Sequence, residues 1–302
     1  MHKIFIDGRN GTVGLALEQR LAARRDIELL TLPDHLLLDA GARAEMLNSA
    51  DLSFLCLPDE VAREAVARVT NPASVVIDAS TAHRTKEGWT YGFPELGFTI
   101  NDTTKRIANP GCHASGFIAL VKPLVDAGLL PKSARLSCFS LTGYSGGGML
   151  TIEQYESGAR QRGDALAAPM QYALGQEHKH LPEMTAIPGL ESPPLFCPVI
   201  ADYYSGMEVT IPVAGLSRNA ALDCYRDFYA NAAMVRVIEP TGEPRPANHM
   251  SGRDSMELTV EGNDERLLLI ARFDNLGKGA SGAAVQCMNL AIGANETEGL
   301  VL

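Results

Sequence analysis

Lys3-Ile4-Phe5-Ile6-Asp7-Gly8-Arg9-Asn10-Gly11-Thr12-Val13-Gly14 is the stretch that decides the fold. A β-rich run ends in three glycines spaced three apart, and Leu15, Leu17, Leu21 and Ala22 then follow as the apolar side of an amphipathic helix. Strand, glycine turn and helix in this order open a dinucleotide-binding βα unit. Glycines there let the backbone approach a pyrophosphate, and the N–H groups of the helix start hold its charge. Because the spacing is G-x-x-G-x-x-G, not G-x-G-x-x-G, the position between strand and helix carries the reading more than the pattern itself.

Further apolar runs at Ile27–Leu32, Leu52–Leu57 and Val75–Asp78 alternate with helical patterns at Asp39–Asn48 and Asp59–Val69, as a parallel βαβ sheet requires. The expected fold class is α/β, with a Rossmann-type domain over residues 1–111. After Gly111 the texture changes. Ala114–Ala127 is a nearly all-apolar helix in which Pro123 predicts a kink. A strand at Arg135–Thr142 leads into the glycine-rich Gly143–Gly148 segment, and strand-like runs follow at Leu195–Ala201, Met207–Val213, Met234–Glu239, Met256–Glu261 and Arg266–Phe273, with Ala220–Ala232 as a covering helix. This predicts a second, α+β domain over 112–277 with a mostly antiparallel sheet, serving catalysis and oligomerisation. A last helix begins near Lys278, and composition leaves open which domain the segment 278–302 joins.

At 302 residues, two domains of roughly 100–200 residues each are the natural expectation. The 36 acidic residues outnumber the 26 basic ones, and a net charge of −10 disfavours a phosphate backbone as partner. No apolar run reaches the roughly 20 residues of a membrane span, and the start shows no signal-peptide pattern, so a cytoplasmic protein is expected.

Six cysteines are widely spaced with no C-x-x-C pair, which points to reduced thiols, most of them core residues. Cys112 differs. Asn109-Pro110-Gly111 stops one element and places Cys112 at the start of the apolar helix, where the positive end of the helix dipole favours a thiolate. A partner base is sought among seven histidines, and His178-Lys179-His180-Leu181-Pro182-Glu183 is the best candidate. No further Cys or His neighbours that pair at ligand spacing, so no metal is expected. For the cofactor, Asp34 near the end of the second strand favours a free ribose hydroxyl, whereas Arg9 in the glycine loop suits a 2′-phosphate, and residue chemistry leaves both open.

Taken together, seven ordered landmarks make the chain similar to N-acetyl-γ-glutamyl-phosphate reductase in its shorter form, a family of arginine biosynthesis related to aspartate-semialdehyde dehydrogenase. They are the Gly8–Gly14 loop, Asp78–Arg84, Tyr91–Glu95, Ala108–Cys112, Thr142–Gly148, His178–Glu183 and Asp274–Ala280. The resemblance implies Cys112 as acyl-accepting nucleophile and His178 as acid/base, with His180 the alternative for that role. It implies Tyr172, His180 and Glu183 around the substrate, with Arg84 a partner for its phosphate. It also implies Gly8, Arg9, Gly11, Thr12, Val13, Gly14 and Ser80, with Asn275, Lys278 and Gly279, around NADPH. The reaction implied is reductive dephosphorylation of N-acetyl-γ-glutamyl phosphate through a Cys112 thioester, releasing inorganic phosphate, in a homodimer or homotetramer. A related aspartate or aminoadipate semialdehyde dehydrogenase and a non-catalytic NADP-sensing Rossmann protein are the alternatives. Many relatives follow the nucleophile with Tyr-Pro, where this chain has His113-Ala114. His113 is disfavoured as base because adjacent side chains seldom converge on one reacting atom. A bulky residue at Gly8 is expected mainly to weaken cofactor binding.

Overall fold

β1 (His2–Asp7) shows how the first half of the chain is organised: Ile4 and Ile6 enter one hydrophobic core and Phe5 another, as strand alternation dictates. The computed structural model describes residues 1–158, 164–263 and 265–302, and divides them into one unit of Met1–Pro110 with Ala280–Leu300 and a second of Gly111–Gly279 with Val301–Leu302. In the first unit α1 (Thr12–Leu21), β2 (Ile27–Leu30), α2 (Ala40–Ser49), β3 (Leu52–Leu55), α3 (Asp59–Ala67), β4 (Val75–Asp78), β5 (Thr90–Tyr91) and β6 (Arg106–Ala108) follow β1. The strands lie in the order β2-β1-β3-β4-β6-β5, all parallel. Leu17 and Leu21 of α1 share a core with Ala284, Val285 and Met288 of the C-terminal helix Gly282–Ala291, while Leu47 of α2 and Ala62 and Ala65 of α3 fill the core around Phe5. With both faces covered, every residue of β3 and β4 is buried, which is why those strands read as unbroken apolar runs. Chain order reverses beside β1, and the glycine loop leaves the carboxyl end of that strand, the usual ligand crevice of an open α/β sheet.

The second unit is built around α4 (Cys112–Asp126), which is buried along nearly its whole length because it is apolar on all sides. After it come β7 (Ser137–Gly143), α5 (Met149–Glu156), β8 (Met170–Gln171), α6 (Leu181–Ala186), β9 (Leu195–Ala201), β10 (Met207–Ala214), α7 (Arg218–Phe228), β11 (Val235–Val237), β12 (Met256–Gly262) and β13 (Arg266–Phe273). The sheet order is β11-β12-β13-β10-β7-β9-β8; β11/β12 and β7/β9 are parallel and the other pairs antiparallel. This is the mixed, mostly antiparallel sheet expected from the sequence.

Pro123 sits inside α4, and the helix continues to Asp126. A proline has no N–H, so the carbonyl four residues back, that of Ala119, loses its helical donor. The Tyr229 hydroxyl at the end of α7 donates to it instead at 2.8 Å, while Tyr225, one turn earlier, donates to the Leu120 carbonyl at 2.6 Å. The defect in one helix is thus answered by the other. Short elements escaped the sequence reading: β5, β6 and β8 have two or three residues and too little pattern to register. The run at Ile27–Leu32 stops pairing at Leu30, just before Pro33, and the last helix begins at Gly282 after a π-helical turn at Gly277–Ser281.

Tyr229→Phe is predicted to destabilise the protein by about 1–3 kcal/mol, the cost of leaving a buried carbonyl unpaired. In a Pro123→Ala background, which restores the helical donor, urea unfolding should show that loss largely gone. An equal loss in both backgrounds would contradict the compensation.

Candidate active site

In the first unit, Gly8 leaves β1 with φ +87°, and a Cβ there would lie 2.3 Å from the Cys56 carbonyl oxygen. Gly14 is equally constrained: its Cβ would meet the Gly8 carbonyl oxygen at 2.4 Å. The expectation for Gly8 is therefore corrected, since a larger residue there strains the fold before it reaches any ligand. Gly11 is different, because its Cβ would make only ordinary contact, 3.5 Å from the Gly8 oxygen. Gly11 caps α1 without a side-chain bond, no acidic residue occupies the first turn, and the buried Thr12 Oγ1 has no hydrogen-bond partner among the described residues. Val13, half-buried, packs against the core beneath. A helix start with free N–H groups, an orphaned hydroxyl and an open glycine fits a pyrophosphate.

Arg9 and Asp34, the two residues that pull the cofactor choice in opposite directions, pair with each other at 3.0 Å. Asp34 is 88% exposed and Arg9 26%, so the pair contributes at most about 1 kcal/mol and a phosphate can replace the carboxylate. Ser80 follows β4; its N–H and hydroxyl donate to the two oxygens of buried Asp78 at 2.9 and 2.8 Å. Asp78 also meets His83 Nδ1 at 2.5 Å. The Arg84 guanidinium is buried and donates to the carbonyls of Asn109 (2.9 Å) and Ala79 (3.1 Å), bracing the chain beyond β4 and β6.

The second unit gathers the remaining candidates. Cys112 is the first residue of α4, after Gly111 as N-cap. Gly279 approaches it so closely that a Cβ there would lie 3.0 Å from Cys112 Cβ. The Gly111 N–H donates to the buried Glu183 carboxylate at 3.2 Å, which ties α6 to the start of α4. Cys112 is half-buried and in no disulfide. By contrast, burial with the charges of Asp7 and Asp78 pushes Cys56 up to about 12, and burial also raises Cys138 and Cys224.

Tyr172, His178, His180, His113 and Phe196 form one cluster of rings with centroids between 4.6 and 6.1 Å apart. His178 Nδ1 accepts the His180 N–H at 3.1 Å, so in the neutral ring the proton sits on Nε2. Burial, with the charge of Cys112, raises the Tyr172 pKa, and the phenol keeps its proton. The segment between Tyr172 and His178 holds two non-glycine residues at positive φ, Ala173 and Gln176. Gln176 pins it to β9: its amide donates to the Phe196 carbonyl at 2.7 Å and accepts the Phe196 N–H at 2.9 Å. An open cavity of about 540 Å³, with mostly apolar walls including Leu181, Pro182 and Pro193, has His178 in its lining.

Asn275 is buried; it accepts the Gly206 N–H and donates to Ser145 Oγ, both at 2.9 Å. Asp274 beside it collects Ser205 Oγ and the N–H groups of Gly252 and Leu276, fixing the turn that carries Lys278 and Gly279. Sequence reasoning missed Gln176 and the bonding of His113. Gln176 carries no signal, but a polar ring inside an otherwise apolar helix was visible. Among the described residues no group of three or more His, Cys, Asp or Glu can hold a metal, and no helix is long and apolar enough to cross a membrane.

Two family models match: semialdehyde dehydrogenase, NAD binding domain, over residues 31–102, and semialdehyde dehydrogenase, dimerisation domain, over 112–275. N-acetyl-γ-glutamyl-phosphate reductase of Burkholderia lata is 43% identical, covering 96% of each chain. The chain belongs to the N-acetyl-γ-glutamyl-phosphate reductase family. A second member, N-acetyl-γ-glutamyl-phosphate reductase 2 of Pseudomonas putida, is 43% identical over 98% of both chains. Among solved structures, aspartate semialdehyde dehydrogenase II of Vibrio cholerae, complexed with ASA, shares the fold at a TM-score of 0.71 and 16% identity, covering 97% of this chain and 98% of its own.

Membership of the N-acetyl-γ-glutamyl-phosphate reductase family, with the NAD binding domain, assigns a nicotinamide cofactor to this chain. Gly11→Ala is predicted to weaken its binding roughly tenfold or more in a fluorescence titration while leaving the melting temperature nearly unchanged. Gly8→Ala should instead lower the melting temperature, since a side chain at that φ costs about 1–2 kcal/mol before any clash. The reverse pattern would remove Gly11 from the cofactor contact.

Proposed function

We propose that this chain reduces N-acetyl-γ-glutamyl phosphate to N-acetyl-glutamate 5-semialdehyde with NADPH, as a cytoplasmic enzyme of arginine biosynthesis, and that Cys112 is its nucleophile. The observation that carries the reading is a half-buried cysteine at the first residue of a buried helix, in the unit that holds the Tyr172–His178–His180 ring cluster. Its setting in a chain alike over nearly its full length to reductases of that name supports the substrate.

The Cys112 thiolate, favoured by the N–H groups of the α4 start, attacks the γ-carbonyl; a C–S bond forms, and the C–O bond to phosphate breaks with its electron pair leaving on phosphate. NADPH, when bound, supplies the hydride that takes the thioester to the aldehyde oxidation level. His178 Nε2 holds the proton that neutralises the developing alkoxide and takes it back when the C–S bond breaks and the thiolate returns. A positioned acid/base of this kind contributes roughly 10²–10⁴ in rate. Tyr172, His180 and Glu183 line the substrate; Asn275, Lys278 and Gly279 serve the nicotinamide end. Arg84 is the proposed partner for the substrate's phosphate, and its guanidinium also donates to the carbonyls of Ala79 and Asn109. The exposed Arg9–Asp34 pair supports NADPH, because a 2′-phosphate takes over the guanidinium at little cost.

A homodimer or homotetramer is the matching assembly. The matched model is named a dimerisation domain, and the outward side of the second unit's sheet exposes Phe139, Leu195 and Leu268. In register, Leu195 lies beside Ser137, and Pro212 beside Leu268, so the apolar residues run across four strands.

The deciding assay is phosphate-dependent reduction of NADP by N-acetyl-glutamate semialdehyde, with aspartate semialdehyde as control. The acetylated substrate should be favoured by at least about 10²-fold, and Cys112→Ser should bind cofactor normally yet lose nearly all turnover. Preference for aspartate semialdehyde, or near-normal turnover by the serine variant, would defeat the proposal. Arg9→Ala should raise KM for NADPH several-fold and leave that for NADH unchanged.

A further inference from the structure

His113 lies on the first turn of α4, 3% exposed, and each of its ring nitrogens meets a hydroxyl. Nδ1 is 2.6 Å from Ser140 Oγ on β7, and Nε2 is 2.6 Å from the Tyr172 hydroxyl. Burial, with the charges of His178 and Lys179, pushes the His113 pKa down to about 3, so the ring is neutral near pH 7. A neutral imidazole offers one N–H donor and one bare acceptor, which leaves two arrangements.

If Nδ1 carries the proton, His113 donates to Ser140 and accepts from Tyr172. The Ser140 proton then needs an acceptor of its own. Ser140 is wholly buried, and among the described residues its hydroxyl bonds only to His113, so this arrangement strands a buried donor. If Nε2 carries the proton, Ser140 donates to Nδ1 and Nε2–H donates to the Tyr172 oxygen. Ser140 and His113, the buried members, then have every donor paired, and Tyr172 is only half-buried. The Tyr172 proton is then left over, and among the described residues the phenol bonds only to His113. That proton is available to an acceptor outside the relay, on a phenol bonded to the residue that follows Cys112.

We propose that the buried Ser140–His113–Tyr172 chain locks His113 in its Nε2–H tautomer and thereby makes Tyr172 a hydrogen-bond donor to the substrate oxygen that gains charge when Cys112 attacks. Ser140 and His113 are positioning residues, and Tyr172 makes the contact. The tautomer follows from the geometry alone; the substrate contact rests on the reductase reading given above. It also gives a role to His113: with both ring nitrogens committed, the imidazole sets the direction in which the Tyr172 hydroxyl donates.

The tautomer is read by nitrogen-15 NMR of the full-length wild type labelled at histidine, between about pH 6 and 8. The expected result is a protonated Nε2 and a bare Nδ1 for the ring whose signals vanish in His113→Gln; a protonated Nδ1 overturns the lock. In the phosphate-dependent assay, Tyr172→Phe is expected to lower kcat about 10²-fold, as loss of an oxyanion donor does, with KM changed far less. His113→Leu should match it, His113→Gln, whose amide reaches the Nε2 position, should recover most of the loss, and His113→Leu should cost nothing further in Tyr172→Phe. Additive losses, or a loss confined to KM, overturn the relay. A wild type without phosphate-dependent activity removes the substrate contact together with the reductase reading, while the tautomer stands or falls on its own signal.

Discussion

The close approach of α4 to the sheet beneath it is the constraint on which the second unit depends. A Cβ at Gly116 would come within 2.6 Å of Val209 and 2.8 Å of Phe273, so only glycine lets the helix sit at this height. Cys112 is one turn earlier on the same face. Gly279 packs against its Cβ and against the Phe273 ring, and Glu183 takes the Gly111 N–H. The start of α4 is therefore fixed by three contacts: Gly116 on the sheet, Gly279 against Cys112 Cβ, and Glu183 on the Gly111 N–H. An alanine at Gly116 or Gly279 lifts either the helix or the segment after β13, and the start of α4 moves with it.

Proton chemistry in this unit depends on which histidine nitrogens are already committed. His113 has both occupied, and His178 has Nδ1 occupied by the His180 N–H, which puts the proton of its neutral ring on Nε2. Sequence proximity to Cys112 points to His113, whose ring is committed to the Ser140 and Tyr172 hydroxyls. The positive φ at Ala173 and Gln176 and the two Gln176 bonds to Phe196 hold His178 in place. A strained segment fixed by two hydrogen bonds is a common way to keep a functional side chain in one orientation.

Much of this was legible in the sequence because it lies on regular elements. The β1–glycine–α1 unit, the buried runs of β3 and β4 and the apolar helix after Gly111 all impose a period or a break that a single chain displays. What was not legible depends on contacts distant in sequence. Gly8 looked like a ligand-facing glycine, yet its φ and the Cys56 carbonyl make it structural, while Gly11 is the one with open space. Arg9 and Asp34 looked like opposed signals for the cofactor, and they are each other's partner. Ser140 and Tyr172 lie 27 and 59 residues from His113, and no spacing rule connects them.

Acyl transfer to Cys112 is the step on which the proposed chemistry turns. Its most direct test is mass spectrometry of the protein incubated with N-acetyl-γ-glutamyl phosphate in the absence of reduced cofactor. One N-acetylglutamyl adduct per chain is expected, on the peptide containing Cys112, formed together with one equivalent of phosphate and discharged when NADPH is added. An adduct on another residue, or full turnover with no adduct at Cys112, would contradict it.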